Sequence, residues 1–307
     1  MKILIVGAGG IGGYFGARLM EAGQDVTFLV RSRRKVQLEE TGLNINSVNG
    51  DVQLTPKLIT AQQQGEQFDL VILTTKSYQL EAAIEDIRPF VGDAGMILPL
   101  LNGIAHVTDL VAAFGEERVL GGLCFIETTL DANGTVVQTS PMNQLVYGER
   151  SGKETARILE VQKAFTGTKA DLILSANIEQ DMWHKYLFIT AMSGITAAME
   201  SPIGPIRDLE SGQRTIAVLL RELVSVMKAI GAPVKETIAE DQLAKINSLQ
   251  PGMKSSMQRD MEKGQAIEAG HLQGYLLDKA LAEELAVPVL DAIYTKLKIY
   301  EINLRNS

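Results

Sequence analysis

The chain has one cysteine in 307 residues. Cys124 therefore has no intrachain disulfide partner and no thiolate cluster can form, so a reducing compartment, the cytoplasm, is the expected location. Cys124 sits in a strand-like run, 120–126, and reads as a core residue rather than a nucleophile. Histidine is equally sparse: His106, His184 and His271 lack the spacing of metal ligands, so they read as surface or structural residues and no metal is expected. No Gly-x-Ser-x-Gly nucleophile elbow occurs. No apolar run reaches the roughly 20 residues needed to span a bilayer; the longest, 186–199, stops at 14 residues and contains Thr190, Ser193 and Thr196. Lys2 before an apolar run imitates a signal peptide, but the glycines and amphipathic helix that follow explain it better. Excess positive charge is missing as well. A formal net charge of −8 argues against a nucleic-acid or anionic-membrane surface.

What remains is the composition of an ordinary globular protein, 46% apolar and 21% charged, in a chain longer than one core usually supports, so two domains are expected. The most informative segment is at the start. The apolar run Ile3, Leu4, Ile5, Val6 enters Gly7, Ala8, Gly9, Gly10, Ile11 and Gly12, and a helix-like stretch follows to Met20. In a dinucleotide-binding turn the first glycine makes the tight turn, the second lets a pyrophosphate approach bare backbone, and the third lets helix and strand pack closely. The helix N-terminus adds unpaired N–H groups and partial positive charge. The alternative is a merely structural glycine turn.

The next strand, 25–30, bears on which dinucleotide. NAD sites usually carry Asp or Glu about 20 residues past the glycines; this chain has Arg31, Ser32, Arg33, Arg34 and Lys35. Ser32 as a helix cap would place the last three in a first turn, where cations oppose the helix dipole unless an anion is near. A 2′-phosphate is such an anion, so NADP(H) is favoured, with Arg31 as the contact. A solvated basic face is the alternative.

Strand and helix patterns alternate through the first half: strand 68–74, helix 79–90, strand 95–101, helix 107–114, strand 118–130, then a turn at Asn133-Gly134. A hairpin around Asn49-Gly50 joins 43–45 to 52–54. The expected class is an α/β Rossmann-type doubly wound parallel sheet over residues 1–176, followed by an all-α domain over 177–307. The predicted helices there cover 178–199, 213–230, 238–248, 255–263, 269–284 and 289–304. Breakers at Pro202, Gly204, Pro205, Gly231, Pro233, Pro251 and Pro288 separate most of them. The helical half offers a face on which a homodimer could form.

Two loops follow strands at their carboxyl ends, where such sheets bind ligands. One holds Thr74, Thr75, Lys76 and Ser77; Lys76 is either solvated or ligand-contacting. The other holds Leu101, Asn102 and Gly103, a binding loop or an ordinary turn. In the next segment Lys185, Ile189 and Ser193 share one helix face, and Lys185 either snorkels to solvent or serves a site. Ser255, Ser256 and Met257 open a later helix, and Glu268 stands among apolar and small neighbours. Each alone reads more readily as structural than catalytic.

In combination these residues resemble the ketopantoate reductase family along nearly the whole chain. The resemblance rests on the glycine turn, Arg31-Ser32, Thr75-Lys76-Ser77, Leu101-Asn102-Gly103, Trp183-His184-Lys185 and Pro202-Ile203-Gly204. It continues through Ser255-Ser256-Met257-Gln258-Arg259-Asp260, Ile267-Glu268 and Gly274. The family couples a Rossmann-type domain to a helical one and reduces a 2-oxo acid with NADPH, taking ketopantoate to (R)-pantoate on the route to pantothenate and coenzyme A. The resemblance implies Lys185 as general acid for the keto oxygen, with Glu268 holding the substrate and Lys185. It implies Ser256 on the substrate carboxylate, Ser193 in the substrate site, and Lys76 and Asn102 bordering nicotinamide and substrate. Where family members carry asparagines, this chain has Ile189, Ser193 and Ile203, which predicts a less polar pocket and leaves another branched 2-oxo acid open as substrate. A non-catalytic NADP(H)-binding sensor is the rival from another class; retention of both Lys185 and Glu268 speaks against it.

Overall fold

The computed structural model describes residues 1–63 and 65–306. It divides into two units, Met1–Leu101 with His106–Glu179, and Asn102–Ala105 with Gln180–Ser307.

In the first unit, β1 (Lys2–Val6) leads into α1 (Gly10–Glu21), then β2 (Asp25–Leu29) and α2 (Ser32–Thr41). β3 (Leu43–Ser47) and β4 (Val52–Leu54) form the expected antiparallel hairpin. They are followed by β5 (Lys57–Ile59), β6 (Phe68–Leu73), α3 (Leu80–Ile87), β7 (Val91–Pro99) and α4 (Ala105–Phe114). The unit closes with β8 (Gly121–Leu130), β9 (Val136–Gly148), α5 (Ala156–Phe165) and β10 (Asp171–Leu174). The first sheet is wholly parallel in the order β5-β2-β1-β6-β7, the doubly wound arrangement whose strand order reverses beside β1.

Side-chain alternation explains why its strands read as unbroken apolar runs. Ile3 and Ile5 enter one core cluster, with Tyr14 and Phe15 of α1. Leu4 and Val6 enter the other, with Leu80, Ile84 and Ile87 of α3. A strand covered on both faces has no side to leave polar, and each fully buried aliphatic side chain contributes about 1.5–3 kcal/mol.

The second sheet is mixed and was not anticipated. It runs β10-β9-β3-β4, with β8 paired antiparallel to β9. The Asn133-Gly134 turn folds β8 back on β9, and β9 then takes β3 as a parallel neighbour, so the early hairpin joins this sheet and not the doubly wound one. Helix α1 packs against strands of both sheets. α5 and β10 were also missed; α5 starts at a Thr155 cap whose side chain accepts from the Ile158 N–H.

Ser32 does not cap α2. Arg31, extended at φ −71° and ψ 153°, is the N-cap residue and makes no side-chain cap. The backbone stays strand-like to Val30, whose N–H bonds the Ile59 carbonyl, so the helix opens one residue earlier than expected. Arg33, Arg34 and Lys35 remain in the first turn.

The second unit is helical: α6 (Ile178–Ala198), α7 (Ile203–Arg207), α8 (Glu210–Ala229), α9 (Ile238–Ser248), α10 (Ser256–Glu262), α11 (Tyr275–Ala282) and α12 (Pro288–Asn306). A π-helical segment, Gly270–Gly274, precedes α11. Gly204 and Pro205, expected to break structure, lie inside α7, because a proline in the first turn gives up no helical bond. Pro288 likewise opens α12. α8 is the hub, packed on α7, α9, α11 and α12. Its buried Glu222 accepts from the Val289 and Leu290 N–H groups at 3.1 and 2.8 Å, placing a carboxylate on donors that α12 leaves unpaired. Arg207 does the converse for α9, donating to the Ile246, Asn247 and Leu249 carbonyls. No helix among the described residues is long and apolar enough to cross a membrane.

Candidate active site

The glycine turn has the geometry its letters imply. Gly7 adopts φ +95°, a conformation open to glycine at little cost. A Cβ at Gly12 would stand 2.1 Å from the Gly7 carbonyl oxygen and 2.4 Å from Thr74 Oγ1, so only glycine lets α1 pack this close to β1. A Cβ at Gly9 would meet nothing within 4 Å: that position faces open space. Gly9 is also the N-cap residue of α1 and offers no side-chain acceptor, and the first turn holds no acidic residue. The result is a row of backbone donors with local positive character and room above it, which fits a diphosphate. Thr74, at the end of β6, donates to the Val6 carbonyl at 2.8 Å and ties the Lys76 loop to the glycine turn across the point where strand order reverses. Lys76 is half-buried and precedes a short 3₁₀ turn, Ser77–Gln79.

The basic cluster divides by role. Arg34 donates to the Ala8 carbonyl at 3.2 Å and the Gly134 carbonyl at 2.9 Å, bracing the glycine turn against the β8–β9 turn. Lys35 pairs with Glu39. Arg31 and Arg33 are exposed at the head of α2, and the described residues give their side chains no hydrogen bond or ion pair. Of the cluster, these two are available to an anion. The bracing role of Arg34 was not legible in the sequence, because its partners lie 26 and 100 residues away.

In the helical unit the decisive residue is Lys185. It is only 8% exposed, so it does not snorkel into solvent, and its Nζ donates to Asn102 Oδ1 at 3.1 Å. A buried ammonium is costly without acceptors, and the Asn102 carboxamide provides one. Gly103, next to Asn102, packs closely on the π segment: a Cβ there, at φ +93°, would lie 2.7 Å from His271 Cδ2. His271 belongs to the π segment, and Glu268, buried at 9% exposure, stands two residues before that segment. The Glu268 carbonyl accepts from the His271 and Leu272 N–H groups. Tyr186, next to Lys185 and fully enclosed, donates its hydroxyl to the Leu272 carbonyl at 2.6 Å; burial pushes its pKa well up, keeping it a donor. Thus α6, the Asn102-Gly103 turn and the π segment are joined around Lys185. π insertions of this kind are frequent at functional sites. The pattern 269–284 reads as one regular helix, so the insertion was invisible beforehand.

The remaining predicted residues separate. Ser193 is buried, and its Oγ accepts from Gln273 Nε2 at 2.9 Å; Gln273, itself 1% exposed, also donates to the Thr190 carbonyl. Gln273 carried no sequence signal beyond its place in a helical pattern. Ser255 is the true cap of α10, accepting from the Gln258 N–H at 3.1 Å and from Thr196 Oγ1 at 2.8 Å. Ser256 is left exposed at the first turn. Ile203 is fully buried, a packing residue. His184 accepts from the Lys235 N–H at 3.2 Å, and burial, helped by the Lys235 charge, lowers its pKa; it is structural. Cys124 is buried and takes part in no disulfide.

A glycine turn on a doubly wound parallel sheet, followed by a helical unit with a buried lysine, is the layout of a Rossmann-type oxidoreductase. Residues 3–152 match the family model "Ketopantoate reductase PanE/ApbA", and residues 177–301 match its C-terminal counterpart. The chain belongs to the ketopantoate reductase family. It is 48% identical over 301 residues to the uncharacterized oxidoreductase YkpB of Bacillus subtilis, covering 98% of this chain and 99% of that one. The crystal structure of 2-dehydropantoate 2-reductase from Geobacter metallireducens superposes with a TM-score of 0.87 at 27% identity, covering 97% of this chain and 99% of the other. A ternary structure of D-mandelate dehydrogenase with NADH and anilino(oxo)acetate has the same fold, with a TM-score of 0.88 at 22% identity and coverage of 99% and 100%.

Proposed function

We propose that this protein is an NADPH-dependent reductase of a 2-oxo acid, with ketopantoate, reduced to pantoate, as the first substrate to test. The observation that carries the reading is the buried Lys185 ammonium held 3.1 Å from Asn102 Oδ1, in a family of keto-acid reductases. A reduced nicotinamide, when bound, supplies hydride to a carbonyl carbon. The chain's own task is then the oxygen, which gains negative charge as its carbon becomes tetrahedral.

An ammonium within hydrogen-bond reach stabilises that charge and then transfers its proton. Lys185 is assigned that role. Its aim is set by Asn102 and by Tyr186, which anchors the same turn of α6 to the π segment. Glu268, buried at the head of that segment, is assigned to holding substrate and lysine. Ser256 is assigned to the carboxylate, since Ser255 is committed to capping and Ser256 is not. The open space at Gly9 and the donors that open α1 would receive the diphosphate, with Lys76 beside the same loop. Arg31, exposed and at the end of the second parallel strand, is assigned to the 2′-phosphate.

A second reading, a different branched 2-oxo acid, has its own support. Ile203 is fully buried and apolar, and the Ser193 hydroxyl already accepts from Gln273, so these positions offer a distal substrate hydroxyl less polarity than carboxamides would. NADPH oxidation measured against a panel of 2-oxo acids decides between them. Turnover highest with ketopantoate supports the first reading, turnover highest with a 2-oxo acid lacking the hydroxyl supports the second, and no turnover with any member sinks both.

A further inference from the structure

The helical unit holds a cavity of about 280 Å³ lined by Ala197, Glu200, Gln258, Met261, Glu262 and Tyr300. Ala197 is 12 residues past Lys185 on α6, about 18 Å along a helix rising 1.5 Å per residue. On α10, Gln258, Met261 and Glu262 follow Ser256 by two, five and six places. At about 100° per residue they occupy the side of α10 opposite Ser256, so the cavity is separate from the candidate active site.

The polar groups that line it are predominantly acceptors. Gln258 is 2% exposed, and its Nε2 donates to Glu262 Oε1 at 3.2 Å. That contact fixes the amide orientation, because a flipped carboxamide would set its oxygen against a carboxylate. The Gln258 Oε1 is left buried with no hydrogen-bond partner among the described residues, and a buried acceptor without a donor is rare and costly. Glu262 pairs with Lys254 and Glu200 with Lys296, both at 2.7 Å and both partly open to solvent. Such pairs are weak, so an incoming cation can exchange with them. The Tyr300 hydroxyl is committed to the Gln265 carbonyl at 2.8 Å.

Glu200 carries a further signal. Its N–H bonds the Ala197 carbonyl, and the Ser201 N–H bonds the Thr196 carbonyl, the Schellman pattern that ends α6. Glycine is the usual residue at that point because the backbone is left-handed there, yet here a glutamate stands at φ 51°. It also lies at the negative end of the α6 dipole, whose last turn holds no basic residue. Helix end, carboxylates and carboxamide oxygen therefore all favour positive charge.

We propose that this cavity binds the ammonium group of a compact aliphatic primary amine. The ammonium N–H groups supply the donor that Gln258 Oε1 lacks and meet the carboxylates of Glu200 and Glu262. The short hydrocarbon lies on Ala197, Met261 and Tyr300. An anion is excluded by the two carboxylates, and a bare metal ion leaves the apolar part of the lining without a partner. The cavity lies just below the range of about 300–1,000 Å³ common for ligand pockets, which limits the occupant to a small one. The proposal goes beyond the reductase reading and does not depend on it.

The test is calorimetric titration of n-butylammonium chloride into the whole protein near neutral pH, where an alkylamine is charged as lysine is. Tetramethylammonium chloride and potassium chloride serve as comparisons. Wild type should bind one n-butylammonium saturably. Tetramethylammonium, which has no N–H, should bind at least about tenfold more weakly, and potassium should give no saturable heat. Gln258→Met, which nearly keeps the volume and removes the acceptor, should weaken n-butylammonium about tenfold. Glu200→Gly should weaken it about 3- to 10-fold while raising the melting temperature, because glycine suits the left-handed backbone. A glutamate with a purely structural role would not couple those opposite changes. If Gln258→Met does not fold, Glu200→Gly carries the test alone. No saturable binding by wild type, equal affinity for tetramethylammonium, saturable binding of potassium in place of the amine, or wild-type affinity in either variant overturns the proposal.

Discussion

The two units build their candidate sites in opposite ways. In the first, the surface proposed for the cofactor is backbone: Gly9 opens space by lacking a side chain, Gly12 admits the helix, and the donors are main-chain N–H groups at the head of α1. These groups all lie within one strand-turn-helix, so this part of the candidate site is local in sequence. In the second, the surface is side chains brought from distant segments. Lys185 and Asn102 are 83 residues apart, and Tyr186 reaches a carbonyl 86 residues away. A backbone site is damaged by adding atoms and a side-chain site by removing them, and that contrast can be tested.

The sharpest test removes an atom from the second unit. Lys185→Ala should lower kcat by roughly 10²- to 10⁴-fold, the usual worth of a positioned general acid, with cofactor affinity unchanged by fluorescence titration. Unaltered single-turnover rates would refute the assignment. Next come two additions to the first unit that should behave differently from each other. Gly12→Ala drives a Cβ into the Gly7 carbonyl and should lower stability by about 1–3 kcal/mol, the cost of overpacking. Gly9→Ala meets no protein atom and should leave the melting temperature alone while weakening the cofactor. Equal melting losses for both would show that the turn's open space is not as described.

A smaller effect is expected from Arg31→Ala. NADPH should weaken about tenfold and NADH hardly at all, since one exposed cation on a phosphate sits at the low end of charge-assisted contacts. Equal losses for both cofactors would move the 2′-phosphate contact elsewhere, with Arg33 the next variant. The least change should come from Ile189→Asn, which restores one amide beside Lys185 on α6. It should raise the kcat/KM ratio of ketopantoate over 2-oxo acids without the distal hydroxyl by a few-fold, as expected for a single hydrogen bond. A flat ratio would show that this position does not set selectivity.

The same contrast governs how much could be read in advance. β1, the glycine turn and α1 were legible because a short apolar run and three glycines suffice to specify them. The helices of the second unit were legible from breakers and periodicity, as at residues 238–248. The second sheet was not, because β3 pairs with β9 about 90 residues later in sequence, and no local pattern encodes that pairing. Ser32 failed as a cap because the register of β2 with β5 carries the extended backbone to Arg31. Pro205 failed as a breaker because its position within a first turn is a tertiary matter. Gln273 and the Arg34 brace were missed for the same reason: both act through long-range contacts.

Order along the chain is enough to specify a parallel α/β unit followed by a helical one, a turn shaped for a diphosphate, and the presence of one lysine at the head of an apolar helix. Burial patterns and local backbone preferences act over a few residues and are written directly in the letters. Folding alone decides that this lysine is enclosed rather than solvated, that Asn102 is its partner, and that the π segment stands behind both. Those outcomes depend on which distant surfaces exclude water together, and desolvation belongs to the assembled unit, not to any residue within it.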